Sequence, residues 1–131
     1  MIVIAIIAII VMLAIPAYQD YAIRAKVAES LSVAASAKTS VTESCQTNPL
    51  VAPSNTTSGY SFTASDYVES VIIGGTCTAP TVQMTTKATG AAPDPVLILT
   101  GNYTTGSGRY DWTCARQTGL NKFVPSRCRG T

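Results

Sequence analysis

From Met1 to Ala17 the chain carries no charged side chain and no side chain built for hydrogen bonding. The same stretch then runs without interruption into an amphipathic pattern. A soluble domain cannot hide such an end alone, because each exposed Ile or Val side chain leaves about 1.5–3 kcal/mol of burial free energy unrealised. The segment must sit in lipid, in a bundle of its own copies, or in each at different times. Anchorage or assembly is therefore expected to come before any chemistry.

A helix needs roughly twenty apolar residues to cross the hydrocarbon core of a bilayer. Met1 to Ile15 supplies only two thirds to three quarters of that at about 1.5 Å per residue, and no basic segment precedes it. The chain is thus expected to have been processed or to lack its first residues. The small residues after Leu13 are followed by helix rather than a new mature terminus, so the segment is expected to be kept. Pro16 lies inside the helical run, where it removes one backbone hydrogen bond and crowds the preceding turn, and a kink is expected there.

Helical periodicity continues through Asp20 to about Ser44. Ile23, Val27, Leu31, Ala34 and Val41 share one face, whereas Arg24, Glu29 and Ser36 fall elsewhere. Asp20 and Arg24 stand at i, i+4, an acid-before-base pair suited to a solvated flank. Asn48-Pro49 stops the helix. A helix of about 44 residues would be about 65 Å long, too long for the remaining chain to cover, so its front half must protrude.

After a Ser/Thr/Asn/Pro-rich connection from Gln46 to Ser61, strand-like runs occur at Tyr67–Ile73, Thr81–Thr86, Val96–Thr100 and Arg109–Ala115. Gly74-Gly75, the Ala91–Pro95 segment and Gly106-Ser107-Gly108 punctuate them. Val82 and Met84, and likewise Tyr110, Trp112 and Cys114, alternate with polar neighbours, as in a sheet covered on one face. The helix stripe from Ile23 to Val41 is the natural cover. The expected fold class is α+β, a long N-terminal helix on a four-stranded antiparallel sheet. Its expected parts are a protruding apolar half, residues 1–21, and a globular head, residues 22–131.

Charged residues make up 12% of the chain and the net charge is +2, too little for a protein that coats nucleic acid. The distribution is uneven, with Arg109, Arg116, Lys122, Arg127 and Arg129 against the single acid Asp111 in the last part of the chain. Cys45, Cys77, Cys114 and Cys128 suit an oxidising compartment, and spacing alone leaves three pairings open. No Cys-x-x-Cys pair and no histidine supports a metal site. The missing histidine, the absence of a glycine-rich phosphate loop and the scattered acids argue against catalysis and against a cofactor. Asn55-Thr56-Thr57 and Asn102-Tyr103-Thr104 fit the N-glycosylation pattern and are read as polar loops.

The run Met1 to Ile10, then Ala14-Ile15-Pro16-Ala17-Tyr18-Gln19-Asp20-Tyr21, then Arg24-Ala25-Lys26-Val27-Ala28-Glu29 resembles the N-terminal helix of type IVa pilins. Cys114 and Cys128 bracket Phe123-Val124-Pro125, similar to the C-terminal disulfide loop of Pseudomonas-type pilins. This resemblance implies bridges Cys114–Cys128 and, by remainder, Cys45–Cys77. It also implies that Met1, Ile2, Val3, Ile4, Ile6, Ile7, Ile9, Ile10, Val11, Leu13, Ile15 and Pro16 form a membrane anchor and later a filament core. The family's N-methylated phenylalanine and following glutamate would lie before Met1, so about six residues are expected to be missing. Pilins of this type commonly have glycine at the position of Ala8. The resemblance implies a helix partly unwound up to the proline in the fibre; alanine favours helix by nearly 1 kcal/mol, so with Pro16 present the unwinding is expected to survive but to centre on Ile9 to Ile15.

The resemblance implies a surface filament of identical subunits, held in the inner membrane before an assembly machinery polymerises them. Adhesion, twitching motility, DNA uptake and phage attachment are its implied uses, with a host receptor, DNA or phage as partners. Arg116, Lys122, Arg127 and Arg129 are the candidate ligand or DNA contacts, and O-linked sugars could sit on the Ser/Thr-rich surface or at Thr131. The alternatives are a minor or competence pilin, a secretion pseudopilin, or a monomeric membrane-anchored adhesin. A pseudopilin would be favoured by an acidic calcium loop, and no clustered acids occur near the C-terminus.

Overall fold

A computed structural model describes residues 1–130 of the chain. One helix, α1, spans Ile2–Thr47 and passes through Pro16 without leaving the helical state. At about 1.5 Å per residue its 46 residues make a rod of about 69 Å. Asn48 ends it, its N–H donating to the Ser44 carbonyl at 2.9 Å, and Pro49 follows.

Four antiparallel strands follow as a meander: β1 (Val68–Thr76), β2 (Ala79–Thr86), β3 (Val96–Thr104) and β4 (Arg109–Thr118), in spatial order β1-β2-β3-β4. All four strands extend beyond their sequence-based limits. Gly74 and Gly75 do not break β1; they pair with Thr81 and Pro80. Gly75 takes φ +83°, and a Cβ there would collide with the Ala79 carbonyl, so glycine lets the strand run into a two-residue turn at Cys77-Thr78. An irregularity between Val68 and Ser70 shifts the β1 register, placing both Val68 and Val71 inward although they are three residues apart.

The core lies between one face of the sheet and the C-terminal half of α1. Val27, Ser30, Ala34, Ala37, Val41 and Cys45 are the helix's buried residues, in steps of three and four. They meet Val71, Ile73, Val82, Met84, Leu97 and Leu99 from the strands. Ile23 and Leu31 pack at the margin of this cluster. Ala34 and Ala37 bring the helix axis close to the sheet, and the Ser30 hydroxyl donates to the Val27 carbonyl at 2.7 Å, so a polar side chain is buried with its proton satisfied.

Two short 3-10 turns, Asn121–Phe123 and Ser126–Cys128, complete the head, with Phe123, Val124 and Cys128 buried. They sit near the entry of α1 into the head. Arg24 Nε donates to the Lys122 carbonyl at 3.2 Å, and Lys122 Nζ lies 3.5 Å from Asp20. Asp20 therefore pairs with Lys122, 102 residues away, rather than with Arg24 one turn on. The guanidinium of Arg24 is turned to the C-terminal loop.

Candidate functional site

The apolar run of α1 is unburied throughout. Met1 through Gln19 are all exposed, with Ile2 at 78% and Leu13 at 74%. By length and composition this helix could cross a membrane, and none of its most apolar window is covered by the other described residues. Exposed apolar surface on this scale marks an interaction site with lipid or protein. Tyr18 and Tyr21, 75% and 69% exposed, extend that surface to the base of the head.

Two disulfides fix the head. Cys45 at the end of α1 bonds Cys77 in the β1–β2 turn, and Cys114 in β4 bonds Cys128 in the second 3-10 turn. Around the first, Tyr110 donates its hydroxyl proton to the Cys77 carbonyl at 2.7 Å and Gln46 Nε2 donates to the Gly108 carbonyl at 3.0 Å. The end of α1 is thus stitched to two hairpin turns. Burial, with a smaller contribution from nearby Tyr103, raises the Tyr110 pKa above its ordinary value.

The basic residues of the last segment have different fates. Arg109 pairs with Asp111 at 2.7 Å. Arg116 donates to Asn121 Oδ1 at 2.9 Å and to the Gly119 carbonyl at 2.8 Å, bracing the loop after β4. Lys122 faces Asp20 and lies 4.5 Å from the centre of the Phe123 ring. Arg129 donates to the Val124 carbonyl at 2.9 Å. Arg127, the remaining member, makes no ion pair among the described residues and lines a cleft with Lys38 and Trp112. Sequence reading did not single out Lys38; its signal was weak, a lone lysine on a helix whose i±4 neighbours are uncharged.

Asn55 does not belong to a free polar loop. Its Nδ2 donates to the Val71 carbonyl at 2.9 Å, and its Oδ1 accepts from the Ile73 N–H at 2.7 Å. The side-chain amide acts as a one-residue strand against β1, an edge strand that would otherwise present unpaired backbone groups. Asn102 lies in β3 opposite Asp111, so the second tripeptide is strand, whereas Asn55-Thr56-Thr57 forms a turn beside β1. Thr131 is outside the described residues.

The family model for pilins, the proteins of bacterial filaments, matches residues 23–129. The fimbrial protein EcpC of Eikenella corrodens is 35% identical over 98% of this chain and 85% of its own length. The type IV major pilin protein PilE1 of Neisseria gonorrhoeae is 44% identical over 56% of this chain and 36% of its own. The chain belongs to the type IV pilins. As a pilin it is a structural subunit of a multi-subunit surface pilus, in a family whose role is structural rather than enzymatic. The bare apolar helix of this pilin is consistent with membrane anchoring before assembly.

Proposed function

We propose that this pilin is the repeating subunit of a helical fibre in which residues 1–21 form the core and residues 22–131 tile the outside. The observation that carries the reading is an apolar helix half that nothing among the described residues covers. In the membrane Met1, Ile2, Val3, Ile4, Ile6, Ile7, Ile9, Ile10, Val11, Leu13 and Ile15 contact lipid. In the fibre they contact the same segment of neighbouring copies. Lipid is as apolar as these side chains, so the exchange rests on van der Waals packing of Ile against Ala rather than on expulsion of water. Copies related head to tail by a rotation that does not close generate a filament.

The fibre serves adhesion and, by extension and retraction through an assembly machinery, twitching motility. DNA uptake and phage attachment are secondary uses. The fold engages Arg116, Lys122 and Arg129 internally, which weakens the case for a basic loop devoted to phosphate. Electron cryo-microscopy of fibres sheared from cells tests the reading. Side-chain density for this sequence in every subunit, with Met1 to Ala17 on the axis, is expected. Backbone density should depart from helix between Ile9 and Ile15, next to Pro16. A chain that stays with the membrane and enters no fibre would replace this reading with a pseudopilin or an anchored monomer.

A further inference from the structure

Between α1 and the edge strand β4 runs an open cleft with two lobes, of about 360 Å³ and about 410 Å³, and Lys38 and Trp112 line both. Arg127 borders the first lobe, and Glu43 the second. The indole packs edgewise over Gly101, where a Cβ would come within 3.2 Å of it, and remains half-buried. Neither Lys38 nor Arg127 makes an ion pair among the described residues. The cleft therefore offers two cations beside an aromatic wall.

Its hydroxyls narrow the ligand further. Thr39 donates to the Ala35 carbonyl at 3.2 Å, Thr42 to the Lys38 carbonyl at 2.8 Å, and Thr113 to the Thr100 carbonyl at 3.3 Å. With these hydroxyls turned to the main chain, their outward lone pairs can accept, and the Glu43 carboxylate adds further acceptors. A fitting ligand must bring an anionic group for Lys38 and Arg127, several O–H donors for the threonines and Glu43, and an apolar ring face for Trp112. We propose that this cleft binds a carboxylated sugar, of the uronic or sialic acid class, which deepens and rests on the adhesion reading above. A nucleic-acid strand fits less well, because its regularly spaced phosphates would run past Glu43 and a wall of acceptors.

Trp112 is the only tryptophan in the chain, so its fluorescence reports the site directly. The full chain in detergent is titrated with sialyl-lactose and with a glucuronate disaccharide, against lactose and a thymidine oligonucleotide as controls. Saturable change in emission with one or both acidic sugars is expected, and the preferred acid indicates whether the source is a sialylated or a uronate-bearing surface. Lys38→Gln with Arg127→Gln should weaken that binding by about ten-fold or more, since charge-assisted hydrogen bonds are lost, while circular dichroism stays unchanged. Trp112→Phe, read by retention on sugar-coated beads, separates loss of signal from loss of binding. No response to either acid, an equal response to lactose, or a response to the oligonucleotide alone would overturn the proposal. Fibre adherence to cells is scored separately. Adherent fibres without sugar binding refute this site and leave adhesion standing, whereas sugar binding without adherence refutes adhesion and leaves the site.

Discussion

Tyr110 shows how one side chain holds two turns together. Its hydroxyl donates to the Cys77 carbonyl, its ring lies 5.2 Å from that of Tyr103, and burial is the main reason its proton is held more tightly than usual. The folded-state pKa is above the unfolded one, so the stabilisation is complete below the ordinary tyrosine value of about 10 and is lost as pH rises through the folded value. Alkaline titration followed by tyrosinate absorbance and thermal unfolding is expected to show a tyrosine that ionises above the ordinary value, and that component should vanish in Tyr110→Phe. That variant should also lose the alkaline part of the stability change. Asn55 is the contrasting case at this scale. Its tripeptide fits the N-glycosylation pattern and reads as a polar loop, yet both ends of its amide are occupied by β1. A three-residue pattern is blind to a partner 16 or 18 residues away.

Among the elements, the segment after β4 depends on its covalent link. Phe123 and Val124 are its buried apolar anchors, and Cys128 joins it to Cys114 over a separation of 14 residues. Closing a loop of this size is worth about 3 kcal/mol in the chain-entropy model. The double variant Cys114→Ser, Cys128→Ser should lose stability of that order in urea unfolding of the full chain in detergent. The helix and the antiparallel sheet were legible in the sequence because each rests on local periodicity: the stripe through Val27, Ala34 and Val41, and alternation in β2 and β4, whereas Ser30, Ala37 and Cys45 on the same buried face were not picked out. What was not legible depends on distant groups. Gly74-Gly75 looked like a break, but a hairpin needed the positive φ of Gly75 at the end of a paired strand. Asp20 and Arg24 satisfied the helix pairing rule, but each was claimed by the C-terminal loop. The basic segment read as one patch in sequence, and the fold spent Arg116 and Arg129 on its own carbonyls.

For the molecule as a whole, the head's stability and the assembly proposed above fall to different halves of one helix. The buried face from Val27 to Cys45 serves the head, and the bare face from Met1 to Ala17 is left uncovered for lipid and, in the reading proposed above, for neighbouring copies. A charge in the bare half should therefore leave the head intact while impairing both membrane residence and polymerisation. Ile7→Asp places a carboxylate where a charge costs about 3 kcal/mol at the centre of a membrane helix, equivalent to roughly a hundred-fold in an equilibrium. Fibres counted per cell by negative-stain microscopy should fall by about that factor. Circular dichroism of the purified chain should show an unchanged sheet. The Cys45–Cys77 bridge has a further meaning in a fibre under tension. A pull on the stalk enters the head along α1 and would tend to slide the helix across the sheet. The bond at the far end of that helix closes the load path covalently, so shear is resisted by a sulfur link rather than by side-chain contacts alone.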